Sequence, residues 1–238
     1  MQNDLSSKVL KILSDAYLFF RSHFKQVAAL CLPFLFAATL VNFLLARNYQ
    51  DAPMALFGPL MVNLLVYPLY TAALIHLMAR RVLQERPKNG DLLIAAIRQW
   101  VPLLLLKTML LLVIGLGFSL LVLPGIWLAV RLAYAEFHVV LSGRRPMDAV
   151  RASFVETRPH FFLILILLFA TYVPITLLGM ASDQLIQTVT TNDLFRVIGS
   201  TGWSFAGLYV TIVLFRAFTE TVEVPGPAYP PGPREDER

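Results

Sequence analysis

Between Val101 and Leu123 the chain reads VPLLLLKTMLLLVIGLGFSLLVL, with Lys107 as its one charge. Such a run can cross a bilayer, which takes about 20 mostly apolar residues in helical form. Five other runs resemble it, and spans are expected at 26–45, 59–79, 101–123, 124–141, 159–180 and 197–219. Lipid offers no partners to backbone N–H and C=O groups, so spanning segments must be helices or a closed barrel. Barrel strands alternate apolar and polar residues over about 10 positions, and the leucine-rich runs here do not. The expected fold class is all-α integral membrane, with six transmembrane helices. Composition agrees: the chain is 57% hydrophobic and only 15% charged, against about 45–50% and about 25% in soluble domains.

The net charge is +5, and its placement matters more than its size. Lysines and arginines gather at Lys8, Lys11, Arg21 and Lys25, then at Arg80, Arg81, Arg86, Lys88 and Arg98, then at Arg144, Arg145, Arg151 and Arg158. The loops between these clusters hold only Arg47 and Arg196. Basic loops stay cytoplasmic, which puts both termini on the cytoplasmic side of a bacterial inner (plasma) membrane. The basic excess then meets anionic phospholipid headgroups, at about 1 kcal/mol per residue near the surface. No nucleic-acid partner is expected. The first long apolar run begins only after Lys25, with Asp4 and Asp15 ahead of it, unlike a cleavable signal. Cys31 is the lone cysteine, which excludes a disulfide framework within the chain.

Each basic region ends in a similar phrase: RSHF at 21–24, RQWV at 98–101 and RPHF at 158–161. Arg21 precedes His23, Arg98 precedes Trp100 and Arg158 precedes His160, each at the expected cytoplasmic interface. Segments bearing Asp15, Asp91 and Asp148 lie upstream, and Pro87 and Pro146 read as helix starts. The domain is expected to be three pseudo-repeats over about 1–80, 87–141 and 146–219, each an interfacial amphipathic helix followed by a two-span hairpin. A competing explanation is that Arg, His and Trp simply favour inner helix ends. In the first segment Leu5, Val9, Ile12, Leu13, Ala16, Tyr17, Phe20 and Phe24 recur at helical spacing, as in a helix lying in the interface plane. Leu18 and Phe19 break that pattern, as they would if packed on the bundle. Residues 220–238 are expected to form a disordered, Pro-rich cytoplasmic tail.

The fourth span, LPGIWLAVRLAYAEFHVVL, contains Arg131 and Glu136. Its eight Leu, Ile, Phe and Val residues after Pro124 return roughly 4 kcal/mol on insertion, against about 5–7 kcal/mol for two charges. It should therefore enter with span three, its charges facing protein or water. Five residues apart, Arg131 and Glu136 sit about 140° apart around a helix and should find different partners. By depth, Arg131 falls about 10 Å below the periplasmic surface, where it could meet Asn42 and Asn63. Glu136 falls near mid-bilayer, and Lys107 lower, able to snorkel to the cytoplasmic face. Arg131, Asn42, Asn63, Glu136 and Lys107 thus form a candidate polar cavity or headgroup site. Two readings fit: a cavity for an anionic headgroup, or a satisfied polar network tying hairpins together.

Other chemistry finds little support. His23, His76, His138 and His160 sit near inner helix ends without metal-ligand spacing. No catalytic triad order, phosphate loop or carboxylate pair appears, so no enzyme activity, cofactor or metal is expected. Gly115 and Gly117 read as packing or kink sites.

The pattern LPGIWLAVRLAYAEFHVVL followed by AVRASFVETRPHFFLI resembles the YciC-like family of bacterial inner-membrane proteins. More distantly it is similar to the membrane domain of some glycerophosphodiester phosphodiesterases. The resemblance implies a polytopic inner-membrane protein and transfers no catalytic residues. The leading expectation is a non-enzymatic role in envelope or lipid homeostasis through phospholipid binding. The alternatives are a small-solute transporter or channel subunit, which in so small a bundle calls for a homo-oligomer, and a scaffold for a membrane-protein partner. The topology predicts that a thiol from Asn89→Cys, in a Cys31→Ser background, resists membrane-impermeant maleimide in intact cells and reacts once they are permeabilised. Labelling of intact cells would overturn that orientation.

Overall fold

A computed structural model describes residues 2–49, 53–189 and 193–222. Ten helices account for nearly all of them, and no strand occurs among the described residues. They are α1 (Gln2–Ser22), α2 (Phe24–Asn48), α3 (Pro53–Val82), α4 (Asn89–Arg98) and α5 (Trp100–Leu120), then α6 (Val122–Arg131), α7 (Ala135–Ser142), α8 (Pro146–Glu156), α9 (Phe161–Val189) and α10 (Asp193–Thr221). Six stretches are long and apolar enough to cross a membrane: Phe24–Asn48, Phe57–Val82, Trp100–Leu120, Val122–Ser142, Phe161–Ile186 and Asp193–Thr221. They overlap all six runs expected from the sequence. Helix α10 continues through Thr221, past the expected start of the tail at residue 220, and residues 223–238 lie outside the described ones.

Helix α2 packs against α3, α5 against α6, and α9 against α10. The shorter helices also dock on the bundle: α1 along α10, α4 on α3 and α8 on α7. In α1 the buried residues are Val9, Ile12, Ala16 and Phe19, while Tyr17 and Leu18 are exposed. Phe19 thus faces the bundle where the sequence pattern favoured Tyr17. Tyr209 of α10 donates to the Leu13 carbonyl at 3.0 Å, and Lys11 bonds Glu220 at 2.8 Å on the surface. The Glu220 carboxylate, by its hydrogen bond and its charge, raises the Lys11 pKa above its ordinary value.

The three repeated phrases fall on three joints between helices. His23 separates α1 from α2, Gln99 separates α4 from α5, and residues 157–160 separate α8 from α9. At each joint the arginine (Arg21, Arg98, Arg158) is exposed and the ring (His23, Trp100, His160) is half-buried.

The fourth span is broken. In a continuous helix Ala135 N–H would bond the Arg131 carbonyl, and Tyr134 N–H that of Val130. Instead Ala135 N–H bonds Leu132 O at 3.1 Å, and Ala133 N–H takes Val130 O at 3.4 Å. The Arg131 carbonyl and the Tyr134 N–H are left over. Ser153 of α8 satisfies both: its hydroxyl donates to Arg131 O at 2.8 Å and accepts from Tyr134 N–H at 3.2 Å. Thr157 Oγ1 also lies 3.2 Å from Arg131 O. These bonds, with His138 to Glu156, run α8 back antiparallel along α7, through a turn at Gly143 whose φ of 61° suits glycine. Around the break Tyr134, Phe137, Phe215 and Phe218 form an aromatic core, with Phe218 rings 5.3 Å from Tyr134 and 5.2 Å from Phe137. Where α5 passes into α6, a Cβ on Gly117 would come within 3.0 Å of Gly125 Cα, so Gly117 permits a backbone contact. Gly115 faces open space.

Ser153→Ala leaves the buried Tyr134 N–H without an acceptor, which costs about 1–3 kcal/mol. A thermal melt of the detergent-solubilised protein should record a lower Tm, and an unchanged Tm would refute the account of the break.

Candidate functional site

Helix α5 and the α6–α7 rod run antiparallel, and their polar residues meet in register. Lys107 on α5 places Nζ 3.1 Å from Glu136 Oε1 on α7. Tyr67 on α3 donates its hydroxyl to Glu136 Oε2 at 2.8 Å. The ammonium also sits 3.8 Å from the centre of the Tyr67 ring, within the range of a cation–π contact. One carboxylate therefore ties three elements together, with both oxygens engaged. The Glu136 side chain is 15% exposed and that of Lys107 32%. Lys107 is turned to this pair, where the sequence reading expected it to snorkel toward the cytoplasm.

Two more polar links lie nearby. Gln99 donates to the Val140 carbonyl at 2.8 Å and shares a 3.2 Å bond with His76. Trp100 donates its indole N–H to the Leu65 carbonyl at 2.8 Å, one residue from the carbonyl of Leu64, which loses its helical donor to Pro68. His138, nearly fully buried, meets Glu156 of α8 at 2.6 Å.

Arg131 belongs to a different neighbourhood. Its guanidinium carbon lies 5.7 Å from the Trp127 ring centre and 5.0 Å from that of Phe154 on α8, and the two rings meet edge to face at 5.7 Å. Nε is buried with no hydrogen-bond partner, and among the described residues no carboxylate comes within ion-pair distance of the guanidinium. The cluster of Arg131 with Asn42 and Asn63 does not form. Asn42 Oδ1 is buried without a partner, and Asn63 is exposed. The depth count that joined them assumed one straight helix for span four, and the break, with α8 folded onto it, turns Arg131 toward Phe154.

Of the five candidate residues, Lys107 and Glu136 form an internally neutralised pair, Arg131 keeps an Nε without a partner, and Asn42 and Asn63 join neither. Tyr67, Trp127, Phe154 and Ser153 complete these sites and were absent from the sequence reading. Tyr67 was within reach, since a tyrosine just before Pro68 in a span offers a donor in lipid. Phe154 and Ser153 give no such signal, because their role depends on α8 doubling back. Among the described residues no three His, Cys, Asp or Glu side chains gather to hold a metal ion. No family model matches the chain, and no curated protein or solved structure proves similar to it.

Removing one partner of a buried ion pair strands the other charge, at a cost of about 3–5 kcal/mol. Glu136→Leu or Lys107→Met alone should therefore lower the Tm sharply, while the double substitution recovers most of the loss. A double variant whose deficit equals the sum of the singles would mean that the two charges do not interact.

Proposed function

We propose that this chain is a non-enzymatic, multi-pass protein of the bacterial inner membrane, similar in kind to the YciC-like family, that binds phospholipid in a role in envelope or lipid homeostasis. In this reading three two-span hairpins each follow an amphipathic interfacial helix, and both termini are cytoplasmic. The ligand is the phosphate of an anionic headgroup, and the group that takes it is the Arg131 guanidinium.

The observation that carries the proposal is the state of Arg131: a buried Nε without an acceptor, beside two aromatic rings. A buried donor left unpaired costs about 1–3 kcal/mol, more when charged, so an acceptor from outside the chain would be strongly favoured. The two terminal Nη groups of a guanidinium match two phosphate oxygens. Helix α8 supplies the route. Thr157 bonds the Arg131 carbonyl, and the next residue, Arg158, is exposed. The polar end of α8 therefore brings the headgroup layer to Arg131, and a lipid can reach it without its phosphate entering bare hydrocarbon. The basic clusters add attraction for anionic lipid.

The test is phosphatidylglycerol bound by the purified full chain, counted by native mass spectrometry. Arg131→Gln should reduce it about tenfold, the worth of one charge-assisted hydrogen bond, without lowering the Tm. Undiminished phosphatidylglycerol on a folded Arg131→Gln protein would defeat the proposal.

A further inference from the structure

The face of α8 turned away from the break carries charges of both signs. Arg144, Asp148, Arg151, Ala152, Val155 and Glu156 line an open groove of about 390 Å³. Asp148, Arg151 and Val155 follow one stripe of α8, and Arg144 lies just ahead of the helix, in the turn after Gly143. Arg144, Asp148 and Arg151 are all exposed. Neighbours of opposite charge on such a stripe commonly pair, yet among the described residues none of these three is in an ion pair. Glu156 is held elsewhere, with its Oε2 on His138. The groove thus offers two guanidinium groups and the Asp148 carboxylate, all outside any ion pair, beside a Glu156 whose Oε2 is taken by His138.

A purely anionic ligand would meet the Asp148 carboxylate, and a purely cationic one would meet the two arginines. The complementary ligand carries both charges a short distance apart. Asp148 and Arg151 are separated by about 4.5 Å along the helix axis, a span suited to a phosphate and an amine joined by a two-carbon linker. Val155, which lines the groove, is 72% exposed, and Met147 on the same helix is exposed as well. Charged groups beside exposed apolar side chains fit a surface that meets headgroups and acyl chains together.

We propose that this groove binds the phosphoethanolamine headgroup of a membrane lipid, with the phosphodiester on Arg144 and Arg151 and the primary ammonium on Asp148. The ammonium is the selective element. It donates hydrogen bonds to the carboxylate, whereas a choline nitrogen is sheathed in methyl groups and has none to give. The site shares no residue with the Arg131 site, and its ligand differs in charge, so the two stand or fall separately.

The experiment offers dilauroyl phosphatidylethanolamine and dilauroyl phosphatidylcholine to the detergent-solubilised full chain and counts bound lipid by native mass spectrometry. Phosphatidylethanolamine should lead by about tenfold, the worth of one charge-assisted hydrogen bond. Asp148→Asn, on an exposed position, should abolish that lead. Arg144→Gln with Arg151→Gln should weaken both lipids, and Arg131→Gln should leave their ratio intact. Equal binding of the two lipids by the unaltered chain would overturn the proposal, as would a lead that survives Asp148→Asn or vanishes with Arg131→Gln. Competition by soluble glycerophosphoethanolamine as strong as that of the lipid would overturn the assignment to a membrane lipid.

Discussion

In a hydrocarbon layer a peptide group must find its hydrogen-bond partner inside the protein, and the fourth span depends on that rule more than any other part of the fold. Its helix opens after Arg131, releasing one carbonyl and one N–H. A single serine hydroxyl, which can donate and accept at once, serves both. Because that serine is on α8, closing the break also fixes where α8 lies. The position of α8 then sets the surroundings of Arg131 through Phe154, of His138 through Glu156, and of the charged groove on its other face.

The two intramembrane charges of span four show how neighbouring residues can be treated in opposite ways. Glu136 lies in α7, where α3 and α5 supply a hydroxyl and an ammonium, and it is neutralised within the bundle. Arg131 ends α6, where the neighbours are Trp127 and Phe154. Aromatic faces steady a guanidinium but accept no hydrogen bond in the plane of its edge. One charge joins elements, and the other has an Nε with no hydrogen-bond partner within the chain.

Much of this was legible in the residues. Apolar runs of 18 residues or more located all six candidate spans because length and hydropathy are local properties. The R-x-His/Trp phrases marked real joints, because Arg beside an amphipathic ring is a local signal too. The break at 132–134 was not legible: LAVRLAYAEF has no proline or glycine and reads as continuous helix. The groups it frees are met by a side chain 19 residues away, and such a partner leaves no mark in a window of neighbouring residues. The same blindness joined Arg131 to Asn42 and Asn63, since a depth count assumes a straight rod. Lys107 was misjudged for a related reason. Snorkelling is a property of one helix, whereas its pairing with Glu136 needs the register between two.

The dependence of the break on Ser153 also bears on how the molecule is made. A ribosome delivers the chain from the amino terminus, so Arg131 and Tyr134 leave it well before Ser153 does. During that interval the orphaned carbonyl and amide have no hydroxyl to close on. The fourth span can reach its final shape only after α8 has emerged and folded back, so α6, α7 and α8 attain it together.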